Sequence, residues 1–312
     1  MDSRIAVSRP DRAKERKRLL KRIYKYRYFY LMLAPVVIML VIFNYIPMLG
    51  IRFAFFDYTP FRPKTWTGLA NFQQVFTSRL FWNAFKNTLF LSLINLLLGT
   101  FLSVVFALLM NELVSKVFKS VAQTVLYMPY FISWVVTASI FTLILSPQFG
   151  VVNAIIGRFG IKPIYFLANE KWWTGIYIFI GRWKETGWGT VIYLAALAGI
   201  NPDLYEAASM DGAGRWKQTL HVTIPAISNT ILIVLVLNLA KIMNLFESVF
   251  VLQNSSVINV AEVIQTYTYK IGLQQANYGY STAVGLFNSV ISMILVIGSN
   301  FASKRIKGES II

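Results

Sequence analysis

Residues 206–225 are Glu-Ala-Ala-Ser-Met-Asp-Gly-Ala-Gly-Arg-Trp-Lys-Gln-Thr-Leu-His-Val-Thr-Ile-Pro, a polar island between two long apolar stretches. Asn201, just upstream, can cap a helix that opens at Asp203. Gly212 is expected to break that helix, and Pro225 to begin the next apolar run. The pattern predicts a short helix at a membrane surface, where it can push against another protein. An ordinary amphipathic interfacial helix is the simpler alternative.

The composition of the whole chain places it in a bilayer. Of its 312 residues, 56% are hydrophobic and 14% charged, and the apolar residues form unbroken runs that a soluble globule would not contain. The runs lack the two-residue alternation of barrel strands and are too long for them. A membrane helix needs about 20 apolar residues, so the sequence predicts an all-α polytopic membrane protein with six transmembrane helices. The predicted spans are about 29–50, 84–111, 120–145, 173–200, 224–246 and 279–302.

The basic residues predict the orientation of these spans. The net charge is +17, and eleven of the thirty Lys and Arg residues lie in 1–27, directly before the first span. Basic residues accumulate on the cytoplasmic side of membrane proteins. We therefore expect a basic cytoplasmic tail over 1–28, a transmembrane domain over 29–303, a cytoplasmic loop over 201–223 and a cytoplasmic tail over 304–312. The N-terminal charge then fixes topology or contacts anionic membrane lipid, and no nucleic-acid partner is expected.

Several kinds of chemistry are not expected in this chain. It contains no cysteine and a single histidine, His221, which argues against disulfides, thiolate metal sites and histidine clusters. It also lacks a Gly-x4-Gly-Lys-Ser/Thr phosphate loop. We therefore predict no catalytic residues, no metal and no cofactor here, and any ATP hydrolysis would belong to a separate chain.

The fourth predicted span carries charges near its centre. Its middle is Gly-Arg-Trp-Lys-Glu-Thr-Gly-Trp-Gly, from residue 181 to residue 189. Each charge costs about 2.5–3.5 kcal/mol at the centre of a membrane helix, so these side chains must be neutralised or hydrated. One interpretation is a solute pathway that includes Trp183, Lys184, Glu185 and Trp188. The alternative is a structural salt bridge between Arg182 or Lys184 and Glu185.

Two neighbouring spans carry further polar residues. The fifth span adds Asn238, Lys241, Asn244 and Glu247, and the last three are spaced as on one helix face. Indole rings can stack on sugar rings while Lys, Glu and Asn bind hydroxyl groups, which favours a carbohydrate pathway. Packing remains an equal alternative for each tryptophan. In the second span, small and polar residues that include Asn95 and Gly99 recur every three or four positions, a pattern typical of close helix packing.

The polar island resembles the EAA loop of permease subunits of binding-protein-dependent ABC importers. The matching motif positions are Glu206, Ala207, Ala208, Gly212, Ile224 and Pro225. The resemblance implies that this loop, with Asp211 and Ala213, docks in a cleft of a cytoplasmic ATPase, where Glu206 forms an ion pair.

Other segments resemble the maltose-type carbohydrate importer permeases, and among them the oligosaccharide permeases without a large extra periplasmic domain. The segments that carry the resemblance are Phe-Asn-Tyr-Ile-Pro-Met at 43–48, Asn-Thr-Leu at 87–89, Tyr-Met-Pro-Tyr-Phe-Ile-Ser-Trp-Val-Val at 127–136, Trp-Lys-x-x-Gly-Trp-Gly at 183–189 and Thr-Tyr-Thr-Tyr-Lys-Ile-Gly-Leu at 266–273. It implies sugar contacts at or near Gly181, Lys184, Glu185, Trp188, Asn238 and 242–249.

The resemblance also implies partners and a location. These are a homologous second permease, an ATP-binding cassette ATPase dimer that binds ATP and Mg, and an extracytoplasmic solute-binding protein or lipoprotein, in the cytoplasmic membrane of a bacterium. The expected function is uptake of a sugar, in particular an oligosaccharide. Lys184 and Lys241 would suit a uronate, although Glu185 and Glu247 offset them. A non-sugar ABC importer, or a membrane scaffold or sensor without transport, remains as an alternative.

Overall fold

The computed structural model describes residue 19 and residues 21–307. Most of the predicted basic tail and the last five residues of the predicted C-terminal tail lie outside the described residues. The chain divides into two compact units, Met1–Arg52 and Phe53–Ile312, which are described separately.

Helices make up most of the described chain, which confirms the all-α class. The α-helices from Arg27 onward are α1 (Arg27–Leu40), α2 (Ile46–Met48), α3 (Ala70–Thr77), α4 (Arg79–Asn111), α5 (Lys116–Tyr127), α6 (Trp134–Ile144), α7 (Val151–Gly157), α8 (Glu170–Ala198), α9 (Asp203–Met210), α10 (Arg215–Gln218), α11 (Ile224–Leu239), α12 (Glu247–Leu252), α13 (Ile258–Ala261), α14 (Ile264–Tyr269) and α15 (Tyr278–Lys307). Turns of π-helix cover Val41–Tyr45, Thr219–Thr223 and Lys270–Gln274, and 3-10 turns cover Leu49–Phe55, Met128–Phe131, Phe166–Ala168 and Ser255–Val257. Strands β1 (Phe56–Asp57) and β2 (Thr65–Trp66) form a small antiparallel pair, with Phe56 opposite Trp66.

Four helical stretches in the described chain are long and apolar enough to cross a membrane. They are Arg27–Phe55, Arg79–Asn111, Arg215–Leu239 and Tyr278–Phe301, and a fifth is added if the bent pair Lys116–Phe131 and Trp134–Ile144 forms one span. Helix α8 has 29 residues, but Arg182, Lys184 and Glu185 lower its apolar character. The count of six spans therefore stays a prediction.

The first unit presents apolar side chains outward. Helix α1 contains Pro35, and none of its side chains is buried. A π-helical turn and a short helix follow it. Such an apolar, exposed helix is suited to lipid or to a partner helix.

Helix α8 is central to the second unit. It packs along α4 and also contacts α5 and α11. A Cβ at Gly187 would overlap the carbonyl group of Leu126 in α5, and one at Gly189 would overlap the hydroxyl of Ser103 in α4. These glycines therefore allow the close approach of three helices. The core of this unit contains three apolar clusters, whose largest fully buried side chains include Trp173, Tyr193 and Phe81.

The predicted third span, 120–145, corresponds to a sharply broken segment, residues 116–144. Helix α5 ends at Tyr127, a 3-10 turn contains Pro129, and α6 starts after Ser133, with a bend of 100° between the two parts. Pro129 lacks the N–H that would continue the helix. The Ser133 hydroxyl accepts a hydrogen bond from Val136 N at 3.2 Å and caps the next helix.

The end of the predicted fifth span also differs from the expectation. Helix α11 ends at Leu239, residues 240–246 form a turn and an irregular connection, and α12 starts at Glu247. The expectation that Lys241, Asn244 and Glu247 share one helix face is therefore wrong.

Candidate functional site

A cavity of about 600 Å³ lies among α4, α8, α11 and the broken segment at Tyr130. Four of the predicted pathway residues border it, namely Glu185, Trp188, Asn238 and Lys241. The other lining residues are Ser92, Asn95, Leu96, Gly99, Thr100, Ser103, Tyr130, Arg182, Gly189, Ile192, Tyr193, Val234, Leu237, Ile242 and Leu245.

Arg182 is the centre of a polar cluster in this cavity. Its Nη2 donates to Asn95 Oδ1 at 3.1 Å and lies 3.1 Å from Glu185 Oε2. The Arg182 side chain is 13% exposed, whereas that of Glu185 is 44% exposed. A Cβ at Gly99 would overlap the guanidinium, so this glycine makes room for it. A guanidinium presents five N–H donors in a rigid fork, and it can bind carboxylates as well as hydroxyl groups.

The stripe of small residues on the second predicted span therefore does more than pack helices. Asn95 and Gly99 shape the Arg182 cluster, and Ser103 donates to Thr186 O at 3.3 Å. The spacing of these residues was visible in the sequence, but spacing does not distinguish a packed face from the wall of a cavity.

An aromatic pair forms another wall of the cavity. The rings of Tyr130 and Trp188 are stacked, with centroids 4.7 Å apart and an angle of 8° between their planes. Trp188 is 46% exposed. Such exposed ring surface can contact the apolar face of a sugar.

The other four predicted pathway residues do not border this cavity. Trp183 packs against Phe141, with ring centroids 5.4 Å apart. Lys184 is buried and its Nζ donates to Tyr130 O at 2.8 Å. Asn244 Oδ1 accepts a hydrogen bond from Gln265 Nε2 at 3.3 Å, and both residues line a separate groove.

Glu247 borders a second cavity, of about 400 Å³. Lys184 and Glu185 also line it, together with residues 130–134 of the broken segment. The predicted pathway residues are thus divided between several places, and Glu185 is common to the two cavities.

The polar island forms an exposed helix and a turn. Asn201 Oδ1 accepts from Asp203 N at 3.1 Å at the start of α9, and Gly212 ends this region with φ +77°, a conformation that favours glycine. Of the predicted coupling residues, Glu206, Ala207, Asp211 and Gly212 are exposed, while Ala208 and Ala213 are half-buried.

Short contacts attach α9 to the beginning of the next long helical run. Tyr205 Oη lies 3.0 Å from Thr223 Oγ1, and Gln218 Nε2 donates to Ala213 O at 3.0 Å. The helical run that starts with α10 continues into α11 and reaches the cavity at Asn238. The exposed helix is therefore mechanically linked to one wall of the cavity.

Within residues 19 and 21–307, no group of three or more His, Cys, Asp or Glu side chains is placed to hold a metal ion. Long apolar helices, a cavity among them that contains charged and aromatic side chains, and an exposed helix attached to its wall together define a membrane transport protein. Residues 96–308 match the family described as binding-protein-dependent transport system inner membrane component, and the chain belongs to this family.

Curated relatives extend the match to nearly the whole chain. The polygalacturonan/rhamnogalacturonan transport system permease protein YteP of Bacillus subtilis (strain 168) is 42% identical over 301 residues, which cover 95% of this chain and 94% of YteP. Protein LplB of the same strain is 39% identical over 289 residues, with 91% of each chain covered.

Solved structures agree with the fold. A chain of a bacterial ABC transporter involved in the import of the acidic polysaccharide alginate has a TM-score of 0.86 and 40% identity, with 93% of this chain and 99% of that chain covered. A chain of the bacterial alginate ABC transporter in complex with an alginate pentasaccharide-bound periplasmic protein also has a TM-score of 0.86 and 40% identity, with 94% of this chain and 99% of that chain covered. The predictions of an ABC importer permease and of its all-α fold are confirmed.

Proposed function

We propose that this chain is the transmembrane subunit of an ATP-driven importer for an oligosaccharide that contains acidic sugar residues. The observation that carries the proposal is the cavity of about 600 Å³, whose described lining contains two cationic residues, Arg182 and Lys241, and a single carboxylate, that of Glu185. With two cations and one anion, the described lining has a formal charge of +1. Stacked Tyr130 and Trp188 supply the aromatic surface that sugar rings prefer.

Arg182, and not Lys184, supplies a cation to the main cavity. The amino group of Lys184 is occupied by the Tyr130 carbonyl and lies outside the main cavity. Arg182 has N–H groups beyond those that meet Asn95 and Glu185, and the exposed Lys241 lies on the same cavity. Charged donors form stronger hydrogen bonds to carboxylates than neutral donors do. The names of YteP and of the alginate transporter, both of which concern acidic polysaccharides, support the same substrate class.

The proposed assembly includes four further components. They are a homologous second permease, two ATP-binding cassette subunits that bind ATP and Mg, and an extracytoplasmic solute-binding protein. The exposure of α9 and of Glu206 supports docking of this helix on an ATPase subunit, and the periplasmic protein in the alginate complex supports delivery by a binding protein. Both termini and the 201–223 loop would then be cytoplasmic, and the chain would cross the membrane six times.

The proposed mechanism uses the link between α9 and α11. When the ATPase subunits close, they displace α9, and the Tyr205 and Gln218 contacts transmit the displacement to the helical run that ends beside the cavity. Binding of ATP and of loaded binding protein would favour the outward-open state, because both bind that state more tightly than the inward-open one.

The test is ATP hydrolysis by the complete complex in lipid vesicles. Binding protein is added with oligogalacturonates or with neutral oligosaccharides of the same length, and hydrolysis and uptake are measured. We expect stimulation and uptake with the acidic series. Stimulation by the neutral series alone would contradict the acidic substrate, and hydrolysis that no sugar changes would contradict sugar import.

A further inference from the structure

We propose that Tyr130 is a barrier between two cavities on the solute path, and that Lys184 is the positioning residue that holds it closed. This inference rests on the proposed import function and identifies Tyr130 as the residue that closes the solute path.

The two cavities meet at Tyr130. The larger one, of about 600 Å³, and the smaller one, of about 400 Å³, have only Tyr130 and Glu185 in common among their described lining residues. Both contain charged or hydroxyl side chains, with Ser133 and Glu247 in the smaller one. A solute that moved from one cavity to the other would have to pass these two residues.

Tyr130 is held by its backbone and by its ring. Lys184 Nζ donates to the Tyr130 carbonyl at 2.8 Å and lies 5.4 Å from the centre of the Tyr130 ring. The ring is also stacked on that of Trp188, with the two ring centroids 4.7 Å apart. The closed position therefore depends on one hydrogen bond, one cation–π contact and one ring stack.

Packing alone is a poor explanation for Lys184. The residue is only 6% exposed, and within the described chain no carboxylate lies within ion-pair distance of its ammonium group. A cation in the middle of a membrane helix is costly and usually marks a functional site. Its partners are the carbonyl of Tyr130 and the rings of Tyr130 and Trp134, with Nζ 5.6 Å from the Trp134 ring centre. All of these belong to the broken segment, so the charge is used to fix that segment against α8.

The broken segment is a suitable place for a moving barrier. Tyr130 lies in the 3-10 turn between α5 and α6, where the chain bends by 100°. Hinges of this kind move by changes in a few backbone angles at the ends of helices. Tyr130 can therefore swing away from Trp188 while α5 and α6 keep their own hydrogen bonds.

The experiment measures leakage in the complete complex. Vesicles that contain the complex are loaded with radiolabelled glucuronate, and its efflux is followed without ATP or binding protein. The variants are Lys184→Met, which keeps an unbranched apolar side chain and removes the ammonium group, and Trp188→Leu, which removes the stacked ring. Phe179→Leu is the matched control, because Phe179 is an exposed aromatic residue of the same helix that borders neither cavity.

We expect both variants to increase efflux by about three- to tenfold, the range that loss of one aromatic contact permits. Both variants should also hydrolyse ATP without binding protein. Trp188→Phe, which keeps a ring at this position, should show the low efflux of the parent complex. Efflux from Trp188→Leu vesicles equal to that from Phe179→Leu vesicles would overturn the proposal, even where Lys184→Met fails to assemble. ATP-driven uptake by the parent complex is measured separately. Absence of uptake would count against the proposed import function, whereas the efflux assay tests the barrier independently of uptake.

Discussion

The proposed coupling region, which is α9 with the residues that follow it up to Pro225, and the proposed solute cavity beside α8 are built in opposite ways. The coupling region consists of consecutive residues, and its hydrogen bonds join positions no more than 18 apart, as between Tyr205 and Thr223. The cavity draws on α4, α8, α11 and the broken segment, and its central hydrogen bond joins Arg182 to Asn95, 87 positions away.

This difference is reflected in how the two regions meet their surroundings. None of the residues of α9 is buried, so its contact surface is available to a partner. The cavity lies between helices that pack through Gly187, Gly189 and Ser103. Substitutions in the coupling region should therefore affect function with little effect on stability, whereas those at the cavity should affect both.

The largest effect is expected from Glu206→Ala, in the coupling region. The proposed ion pair of Glu206 with the ATPase would lose one partner, a loss that costs about 2–5 kcal/mol at interfaces and corresponds to roughly a thirtyfold or greater loss of sugar-stimulated ATP hydrolysis. The melting temperature of the isolated permease should be unchanged, because the side chain is exposed. Asp203→Asn, on the same helix, is the control, since it keeps the oxygen that accepts from Asn201. Equal losses in the two variants would refute a specific role for Glu206.

Arg182→Gln, a substitution at the cavity, should produce the next largest effect. The substitution removes a guanidinium that is 13% exposed and leaves the half-exposed Glu185 carboxylate without its partner. Because solvent reaches that carboxylate, we expect a loss of about 1–3 kcal/mol in the free energy of unfolding, as for a charged hydrogen bond, and not the larger cost of a fully buried pair. We expect reduced stability and a loss of uptake that is about tenfold greater for oligogalacturonates than for neutral oligosaccharides.

The control for Arg182 is Lys171→Gln, an exposed cation in the first turn of the same helix and outside the cavity. Paired uptake assays with the two sugar series give the ratio directly. If Arg182→Gln reduces both series equally, the guanidinium has a structural role and does not select acidic sugars.

Gly187→Ala tests the packing that encloses the cavity and should have the smallest effect. Its new methyl group would overlap the Leu126 carbonyl group, and overpacking of this kind typically costs about 1–3 kcal/mol. The melting temperature of the purified permease should fall. Gly175→Ala, in the same helix with nothing within 4 Å of the added carbon, should melt at the parent temperature or above it. A Gly187 variant as stable as the Gly175 variant would show that α5 and α8 are not rigidly packed.

Sequence patterns predicted the coupling helix better than the cavity. The start at Asp203 and the break at Gly212 follow from local cap and glycine preferences, and both are found. Along α8, successive residues turn by 100° around the helix axis. Arg182 and Glu185 therefore meet in the cavity, while Lys184 points to Tyr130. A single sequence does not reveal which sector of such a helix faces a neighbour.

What the sequence alone determined is the class of protein. Long apolar runs require a bilayer, and the contiguous pattern of 206–225 identifies a permease, since both signals depend only on residues close together in the chain. Only the tertiary structure decided which polar groups share the cavity. The hydrogen bonds from Lys184 to Tyr130, 54 positions apart, and from Arg182 to Asn95, 87 positions apart, depend on how distant helices pack. Such contacts leave no periodic signal in the sequence, because each depends on the shape of the neighbour it meets.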